Sequence, residues 1–176
     1  KDNSTQGSIS KNEYPKLLME ISRPPRILFV KGEIPERRNI AIVGTRRSDE
    51  ESESAALLIA SSLASSGICV VSGIAGGIDR FAHLGAMQEG GATVAVVAGG
   101  IDNRYPSSNA DIFASINNSP CSAIVAEYPP GIHSDKWAFA RRNRIISGMS
   151  EKVVLVKAPA KSGALITAKY CVEQNR

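Results

Sequence analysis

The sequence has few of the residues on which secreted, metal-binding and membrane proteins depend. It holds three cysteines among 176 residues, far apart and outside any CxxC pair. This spacing argues against a disulfide framework or a cysteine-based metal site and favours free thiols in a reducing cytoplasm. No apolar run approaches the roughly 18 residues that span a membrane, and the polar residues 1–12 lack the apolar segment of a secretory signal. We therefore expect a cytoplasmic protein that does not associate with a membrane.

Recognisable catalytic motifs are also missing. The sequence contains no GxSxG, no HExxH and no paired acidic metal motif. Asp79 and His83 are four residues apart and would share a helix face, so they could form an acid–base pair; alternatively, Asp79 bonds the preceding turn or His83. Glu127 could be catalytic or could pair with an arginine, and His133 is expected at the surface. We therefore assign no catalytic residue, metal site or cofactor and expect a binding protein.

What the sequence does contain is a regular alternation of strands and helices. The main strands are continuous apolar runs, which are typical of a parallel sheet with helices on both faces, because both sides of each strand are then buried. The predicted fold class is therefore α/β with a mostly parallel sheet. Predicted strands cover residues 26–31, 39–43, 68–72, 93–98, 122–126 and 153–156, and predicted helices cover 14–22, 50–66, 78–89, 109–117, 137–149 and 162–174. The apolar face expected for the helix over 50–66 comprises Ala55, Ala56, Leu58, Ile59 and Leu63.

One domain accounts for the whole pattern. Residues 13–176 show no repeat, linker or low-complexity block, whereas the polar residues 1–12 are expected to form a mobile tail. The last recognisable element is a helix, although sheets of this kind often end on a further strand. We therefore expect the full protein to continue past Arg176.

A glycine-rich turn within residues 70–87 is the centre of the pattern, lying between a buried strand and a helix. Gly73, Gly76 and Gly77 permit positive φ and a close approach of a ligand to the main chain. Backbone amides in such a turn, beside a helix N-terminus, suit an anion such as a phosphate. A tight connection that binds nothing is the alternative, since the turn matches neither GxGxxG nor the P-loop pattern.

Basic residues follow nearly every strand of the predicted main sheet, and the chain has a net charge of +4. The carboxyl ends of parallel strands meet at one edge, where open α/β sheets bind ligands. Solvated loops would be the plain explanation, but helix starts normally favour acidic residues. We infer an anionic ligand with several phosphates, such as an oligonucleotide. The basic residues are Arg46, Arg47, Arg80, Arg104, Lys136, Arg141, Arg142, Arg144 and Lys161.

Residues 136–144, KWAFARRNR, mix cations, an amide and aromatic rings. Single-stranded nucleic acid is held by a basic groove together with aromatic faces on which bases stack. Trp137 and Phe139 would lie on opposite faces of a helix, so they are not both expected in the core. We predict stacking for Phe139 and packing for Trp137.

Several sequence blocks occur in a characteristic order. They are IVGTR at 42–46, SGIAGGID at 72–79 followed by His83, GGID at 99–102 followed by YP at 105–106, Phe139 followed by RNRIISG at 142–148, and SGALITA at 162–168. In these blocks the chain resembles the DprA/Smf family, bacterial DNA-processing proteins of natural transformation. The resemblance runs from about residue 14 to the C-terminus, with an alanine at 140 where the family often has proline.

This resemblance implies an extended Rossmann-like domain that binds single-stranded DNA, forms homodimers and helps to load the RecA recombinase. It places Arg46 on a phosphate and Lys136 and Phe139 along the path of the strand. The DNA-binding residues that it implies are Gly44, Thr45, Arg46, Arg47, Ser72, Gly73, Gly76, Gly77, Asp79, Lys136, Phe139, Arg142, Asn143 and Arg144.

A nucleotide hydrolase on a related fold is the alternative function. Phosphoribohydrolases of the LOG type carry a PGGxGTxxE motif and would here use Asp79, Glu127 or His83. The nearest segment, AGGID at 98–102, lacks the proline, the GT pair and the glutamate. The binding protein is therefore the preferred hypothesis.

Overall fold

A computed structural model describes residues 6–10, 13–88 and 90–176 of the chain. Its strands are β1 (Gln6–Ile9), β2 (Leu28–Gly32), β3 (Asn39–Val43), β4 (Cys69–Ser72), β5 (Thr93–Gly100), β6 (Ala123–Tyr128) and β7 (Lys152–Leu155). Its α-helices are α1 (Lys16–Met19), α2 (Glu50–Ser65), α3 (Ile78–Gln88), α4 (Ala110–Asn118), α5 (Lys136–Gly148) and α6 (Ala164–Glu173). A 3₁₀ turn over Ser107–Asn109 precedes α4.

The strands form one mixed sheet in the order β1-β2-β6-β5-β4-β3-β7. The five strands from β6 to β7 run parallel, and β2 and β1 extend the sheet antiparallel beyond β6. After β6 the chain crosses back to pair β7 with β3, on the side of β3 away from β4. The strand order therefore reverses between β3 and β7, and ligands of open α/β sheets bind at such a switch point.

Helices cover both faces of the sheet, as the continuous apolar strands predict. On one face, α2, α3 and α4 pack against alternate residues of the central strands, including Ile42, Val70 and Ile124. On the other face, α1, α5 and α6 pack against the intervening residues, including Val71 and Val96. All eight residues of β5 are buried, because this strand lies in the middle of the sheet with a helical layer on each side.

The N-terminal region differs from the expected mobile tail where the structure describes it. Residues 6–9 form β1, which pairs antiparallel with β2 from Gln6 opposite Lys31 to Ile9 opposite Leu28. Its sequence, QGSI, has little strand propensity of its own, so main-chain pairing to an open sheet edge accounts for the strand. The expected tail residues 1–5, 11 and 12 lie outside the described residues, as does the predicted helix end at Glu89.

The buried face of α2 is made of smaller side chains than its apolar pattern indicates. Its buried residues recur every fourth position, at Ser52, Ala56, Ala60 and Ala64. The prediction that Leu58 lies on this face is wrong, since Leu58 is 64% exposed. The small residues let α2 approach α3 closely: a Cβ on Gly85 of α3 would lie 2.4 Å from the Leu57 carbonyl oxygen.

Candidate nucleic-acid interface

A cleft of about 480 Å³ opens at the carboxyl edge of the sheet, at the switch point between β3 and β7. The loop after β3 forms one wall, the first turns of α5 form another, and the segment before α6 closes the third side. The cleft is therefore built from three segments that are far apart in the sequence. Its lining includes Gly44, Thr45, Arg46, Arg47, Asp79, Lys136, Phe139, Arg142, Asn143, Lys161 and Gly163.

An arginine and two aromatic rings meet at the centre of this edge. Arg46 Cζ lies 4.9 Å from the centroid of the Phe139 ring, which is cation–π geometry. The Tyr105 ring lies 5.7 Å from Phe139 and is tilted by 59°. Arg46 and Phe139 also line a neighbouring cavity of about 140 Å³, next to the glycine turn. They therefore form the ridge between the two depressions, where a planar ligand would meet both a cation and a ring.

Four exposed cations surround the cleft: Arg46, Arg47, Lys136 and Lys161. The acidic residue among the described lining residues is Asp79, and its side chain is buried. A concave surface with this balance attracts anions and concentrates them at its mouth.

The carboxylate of Asp79 lies beneath the glycine turn and bonds it. Asp79 Oδ2 accepts a hydrogen bond from the Ala75 amide at 3.3 Å, and the Gly73 amide also donates to Asp79. Burial raises the pKa of Asp79, although Arg142 and these amides favour its charged form. The turn thus binds a carboxyl group of the protein itself, which supports a structural role for these two amides.

Arg142 holds the same turn from below. Its Nη1 donates to the Gly73 carbonyl at 2.6 Å and to the Val96 carbonyl. A Cβ on Gly73 would lie 2.7 Å from both Asp79 Oδ2 and Arg142 Nη2, so only glycine leaves room for the two groups. Burial lowers the pKa of Arg142 to about 10, which leaves it charged at neutral pH. Arg142 therefore positions the turn and the base of the cleft.

Gly77 fits the turn against the loop after β3. Its φ is +71°, and a Cβ would lie 2.4 Å from the Thr45 carbonyl oxygen, which also accepts from the Ile78 amide at 3.2 Å. We expect Gly77→Ala to lower the free energy of unfolding by roughly 2 kcal/mol or more, because backbone strain and a backbone clash combine. The matched control is Gly67→Ala: Gly67 has φ +74° but open space around it, so this variant carries the strain alone. Equal losses for the two variants in urea unfolding would contradict the expectation.

The structure brings most of the predicted site residues to this edge, but not all of them. Gly73 and Gly76 line the smaller cavity. Ser72 is buried, and its hydroxyl donates to the Ile42 carbonyl at 2.7 Å. Arg144 points away from the cleft and donates to Glu127 Oε1 at 2.5 Å and to the Arg23 carbonyl.

The structure also decides the surroundings of several other side chains singled out in the sequence. Arg80 pairs with Asp111 at 2.6 Å. Glu127 receives Arg141 as well as Arg144, which supports pairing over catalysis for this glutamate. The prediction that Trp137 packs in the core is wrong, since the side chain is 84% exposed. The surface position expected for His133 is confirmed.

Sequence reasoning missed Tyr105 and Gly163 as parts of the site, although it placed Lys161 among the cations at this edge. Tyr105 is 55% exposed and contacts Phe139, while Lys161 and Gly163 line the cleft. The YP and SGALITA blocks mark both segments in the sequence. The place of the second segment at the cleft follows from the crossover that sets β7 beside β3, which the sequence alone does not order. Tyr105 instead follows β5 and lines the smaller cavity.

The part of the chain that the structure describes shows neither a metal centre nor a membrane-spanning helix. No group of histidine, cysteine, aspartate and glutamate side chains there could hold a metal ion. None of the helices in these described ranges combines the length and hydropathy needed to cross a bilayer. All three cysteines are free; Cys69 is buried, whereas Cys121 and Cys171 are partly exposed.

Known proteins share both the sequence and the fold. Protein Smf of Synechocystis is 41% identical over 170 residues, covering 93% of this chain but 42% of that protein. The crystal structure of DNA processing protein A from Streptococcus pneumoniae superposes with a TM-score of 0.89 at 34% identity, over 99% of this chain and 62% of the other. DNA processing protein A from Helicobacter pylori, described for its single-stranded-DNA-binding mode, gives a TM-score of 0.87 at 27% identity, over 99% and 80%.

The similarity to these proteins extends over nearly the whole chain. The extended Rossmann-like fold is confirmed by these superpositions. The sequence model described as DNA recombination-mediator protein A matches residues 7–176. The chain belongs to the DNA recombination-mediator protein A family, which includes the DprA and Smf proteins.

Proposed function

We propose that this chain binds single-stranded DNA in the cleft between β3 and β7, as part of a recombination mediator in natural transformation. The observation that carries the proposal is the ridge of Arg46 and Phe139, flanked by the exposed cations Lys136 and Lys161. Cations along a groove hold the phosphates, and an aromatic face receives a base. The single-stranded-DNA-binding mode described for the Helicobacter pylori relative supports the same ligand class.

A single strand fits this site better than a duplex. The rings of Tyr105 and Phe139 lie close to each other at the carboxyl edge of the sheet, and Phe139 is half-buried. Stacking on such a ring needs a base that is free of its own neighbours, which duplex DNA does not present. The smaller cavity beside Phe139 gives a displaced base a second concave surface.

The relatives support a wider role in DNA metabolism. Those from Bacillus subtilis and Streptococcus pneumoniae are named DNA processing protein DprA, which supports a role in DNA processing. We propose that the protein protects incoming DNA in the cytoplasm, loads RecA onto it, acts as a homodimer and carries out no catalysis. The chain spans less than half of its Synechocystis relative, so these roles belong to the proposal for the whole protein.

The alternative of a nucleotide hydrolase has less support. Glu127 is held by Arg141 and Arg144, and His83 is fully buried beside Thr93. Asp79 is the candidate acid that lines the cleft, and it bonds the glycine turn. An acid or base for hydrolysis must reach its substrate, whereas His83 is fully buried, Glu127 is held by two arginines and Asp79 is bonded to the turn.

Removing Arg46 tests the proposed site. We expect Arg46→Ala to weaken binding of oligo-dT roughly tenfold and to reduce the slope of log K against log salt by about 0.7, because one phosphate contact is lost. Fluorescence anisotropy of labelled oligo-dT and of a matched duplex, at several salt concentrations, measures both quantities. The wild-type protein should prefer the single strand.

The control for this test is Arg37→Ala, which removes the same charge at the opposite edge of the sheet, just before β3. A long-range effect of net charge would weaken both variants equally. Equal losses, or an unchanged slope in Arg46→Ala, would remove Arg46 from the site. Absence of any salt-sensitive binding by the wild-type chain would count against the proposed function.

A further inference from the structure

The most exposed large apolar side chain of the described residues is Trp137, and the proposed cleft does not use it. Trp137 is 84% exposed although it begins an α-helix that is otherwise packed on the sheet. The neighbouring Ala138 is buried and Phe139 is half-buried, so the core ends sharply at this residue. The only tryptophan in the sequence is thus presented to solvent at the edge where the cleft opens.

The position of Trp137 on α5 places it beside the cleft. The cleft-lining residues Lys136, Phe139, Ala140 and Asn143 occupy one side of the helix. Trp137 lies on the next side, adjacent to Lys136 and one turn before Arg141. Side chains of a helix tilt toward its N-terminus, so in the first turn of α5 they project beyond the carboxyl edge of the sheet. A strand leaving the cleft past Lys136 would next meet the indole ring.

The charges around Trp137 indicate what kind of ligand could bind there. Lys136 is exposed and Arg141 has 59% of its side chain exposed, although Arg141 also contacts Glu127 at 3.2 Å. An indole between two cations presents a flat apolar face with phosphate-binding groups on either side. This combination matches the base and phosphates of a nucleotide.

We propose that Trp137 is a second stacking platform, which receives a base of the single strand after it leaves the cleft, with Lys136 and Arg141 holding the adjoining phosphates. The proposal rests on the proposed function and extends its footprint around the N-terminal end of α5. Stacking on Phe139 and stacking on Trp137 then occur on two sides of one helix. The strand bends around that helix, and Lys136 lies at the bend.

The single tryptophan makes the test direct. Unlabelled oligo-dT of increasing length is titrated into the full chain while tryptophan fluorescence is recorded, and parallel samples with labelled oligo-dT report binding by anisotropy. Oligonucleotides long enough to pass the cleft should quench the fluorescence along the same curve as the anisotropy. Short ones that fill the cleft alone should bind with little quenching.

Substitutions complete the experiment. Trp137→Ala should weaken binding of long oligo-dT about fivefold or more, with short oligo-dT little affected, and Trp137→Phe should restore most of the loss. Leu58→Ala is the matched control, since it truncates another exposed apolar side chain on the remote helix α2 and should leave binding unchanged.

The outcomes separate this inference from the proposed function. Full binding by anisotropy with constant tryptophan fluorescence overturns the stacking platform and leaves the cleft intact. No binding by anisotropy overturns both. A fluorescence change that follows protein concentration without DNA assigns the indole to contact between copies of the chain and also overturns the proposal.

Discussion

Replacing Arg142 with methionine should lower the free energy of unfolding by about 3–5 kcal/mol. Methionine fills much of the same space but cannot bond the Gly73 and Val96 carbonyls, which Arg142 Nη1 now satisfies. The loss also removes the positive charge that most favours the ionised form of the buried Asp79 carboxyl. Urea unfolding measures the change, and the turn should loosen enough to weaken oligonucleotide binding as well.

Two further variants identify the cause of this loss. Arg141→Met changes the adjacent residue, whose guanidinium is largely exposed, and should cost under about 1 kcal/mol. Asp79→Asn, added to Arg142→Met, removes the unpaired charge but keeps an oxygen for the Ala75 amide, so the double variant should be more stable than Arg142→Met alone. If the double variant is the less stable of the two, buried charge is not the cause.

The second large expected effect is a loss of folding stability at acidic pH, caused by His83. His83 is buried, and its Nδ1 lies 2.7 Å from Thr93 Oγ1, whose hydroxyl already donates to the Val70 carbonyl. Thr93 must therefore accept, so His83 carries its proton on Nδ1, and the buried Nε2 has no hydrogen-bond partner among the described residues. A proton added at Nε2 would be buried without a partner. Burial, with a smaller contribution from Arg142, accordingly lowers the pKa of His83 to about 3.

This lowered pKa fixes the direction of the pH dependence. Between the ordinary pKa near 6.5 and the folded value near 3, the unfolded chain binds a proton that the folded chain does not. The stability contribution of neutral His83 is thus complete above about pH 7 and is lost as the pH falls through this window. The slope is up to about 1.4 kcal/mol per pH unit, and it should largely disappear in His83→Asn.

The test compares how steeply the free energy of unfolding changes with pH in each variant. A cavity left by the smaller asparagine lowers this free energy at every pH and so does not change the slope. Wild type and His83→Asn are unfolded with urea at intervals from pH 7 to pH 4, and the difference in their free energies is followed. His133→Asn, at an exposed histidine, should retain the wild-type slope. Parallel curves for wild type and His83→Asn would show that His83 is not the group that titrates.

The sequence predicted the central part of the fold because one physical signal dominates there. Strands buried on both faces must be apolar throughout, so β3 is found where NIAIV predicts it, at Asn39–Val43. At the sheet edge this signal fails: β1 has no apolar run and exists through pairing with β2. In α2, alanine and serine form the buried stripe because a neighbouring helix approaches closely, and the larger Leu58 is left outside.

The sequence predicted which residues lie at the candidate site better than it predicted what each side chain contacts there. Cations at strand ends must meet at one edge of a parallel sheet, which is why Arg46 and Lys136 both reach the cleft. Whether a cation stays free depends on neighbours from other elements. Arg144 contacts Glu127 and Arg142 is buried under the turn, and neither outcome can be read from the spacing of RNR. Trp137 shows the converse, an aromatic residue left outside the core.

The construction of the cleft from distant segments has a consequence for the newly made chain. The loop after β3 is synthesised early, whereas β7 and the segment before α6 are synthesised much later. Until β7 is made, β3 presents an unpaired apolar edge on the ribosome-bound chain. Translation proceeds at about 5–20 residues per second, so this edge stays open for several seconds. During this interval the unpaired edge of β3 is exposed, and the cleft between β3 and β7 is not yet complete.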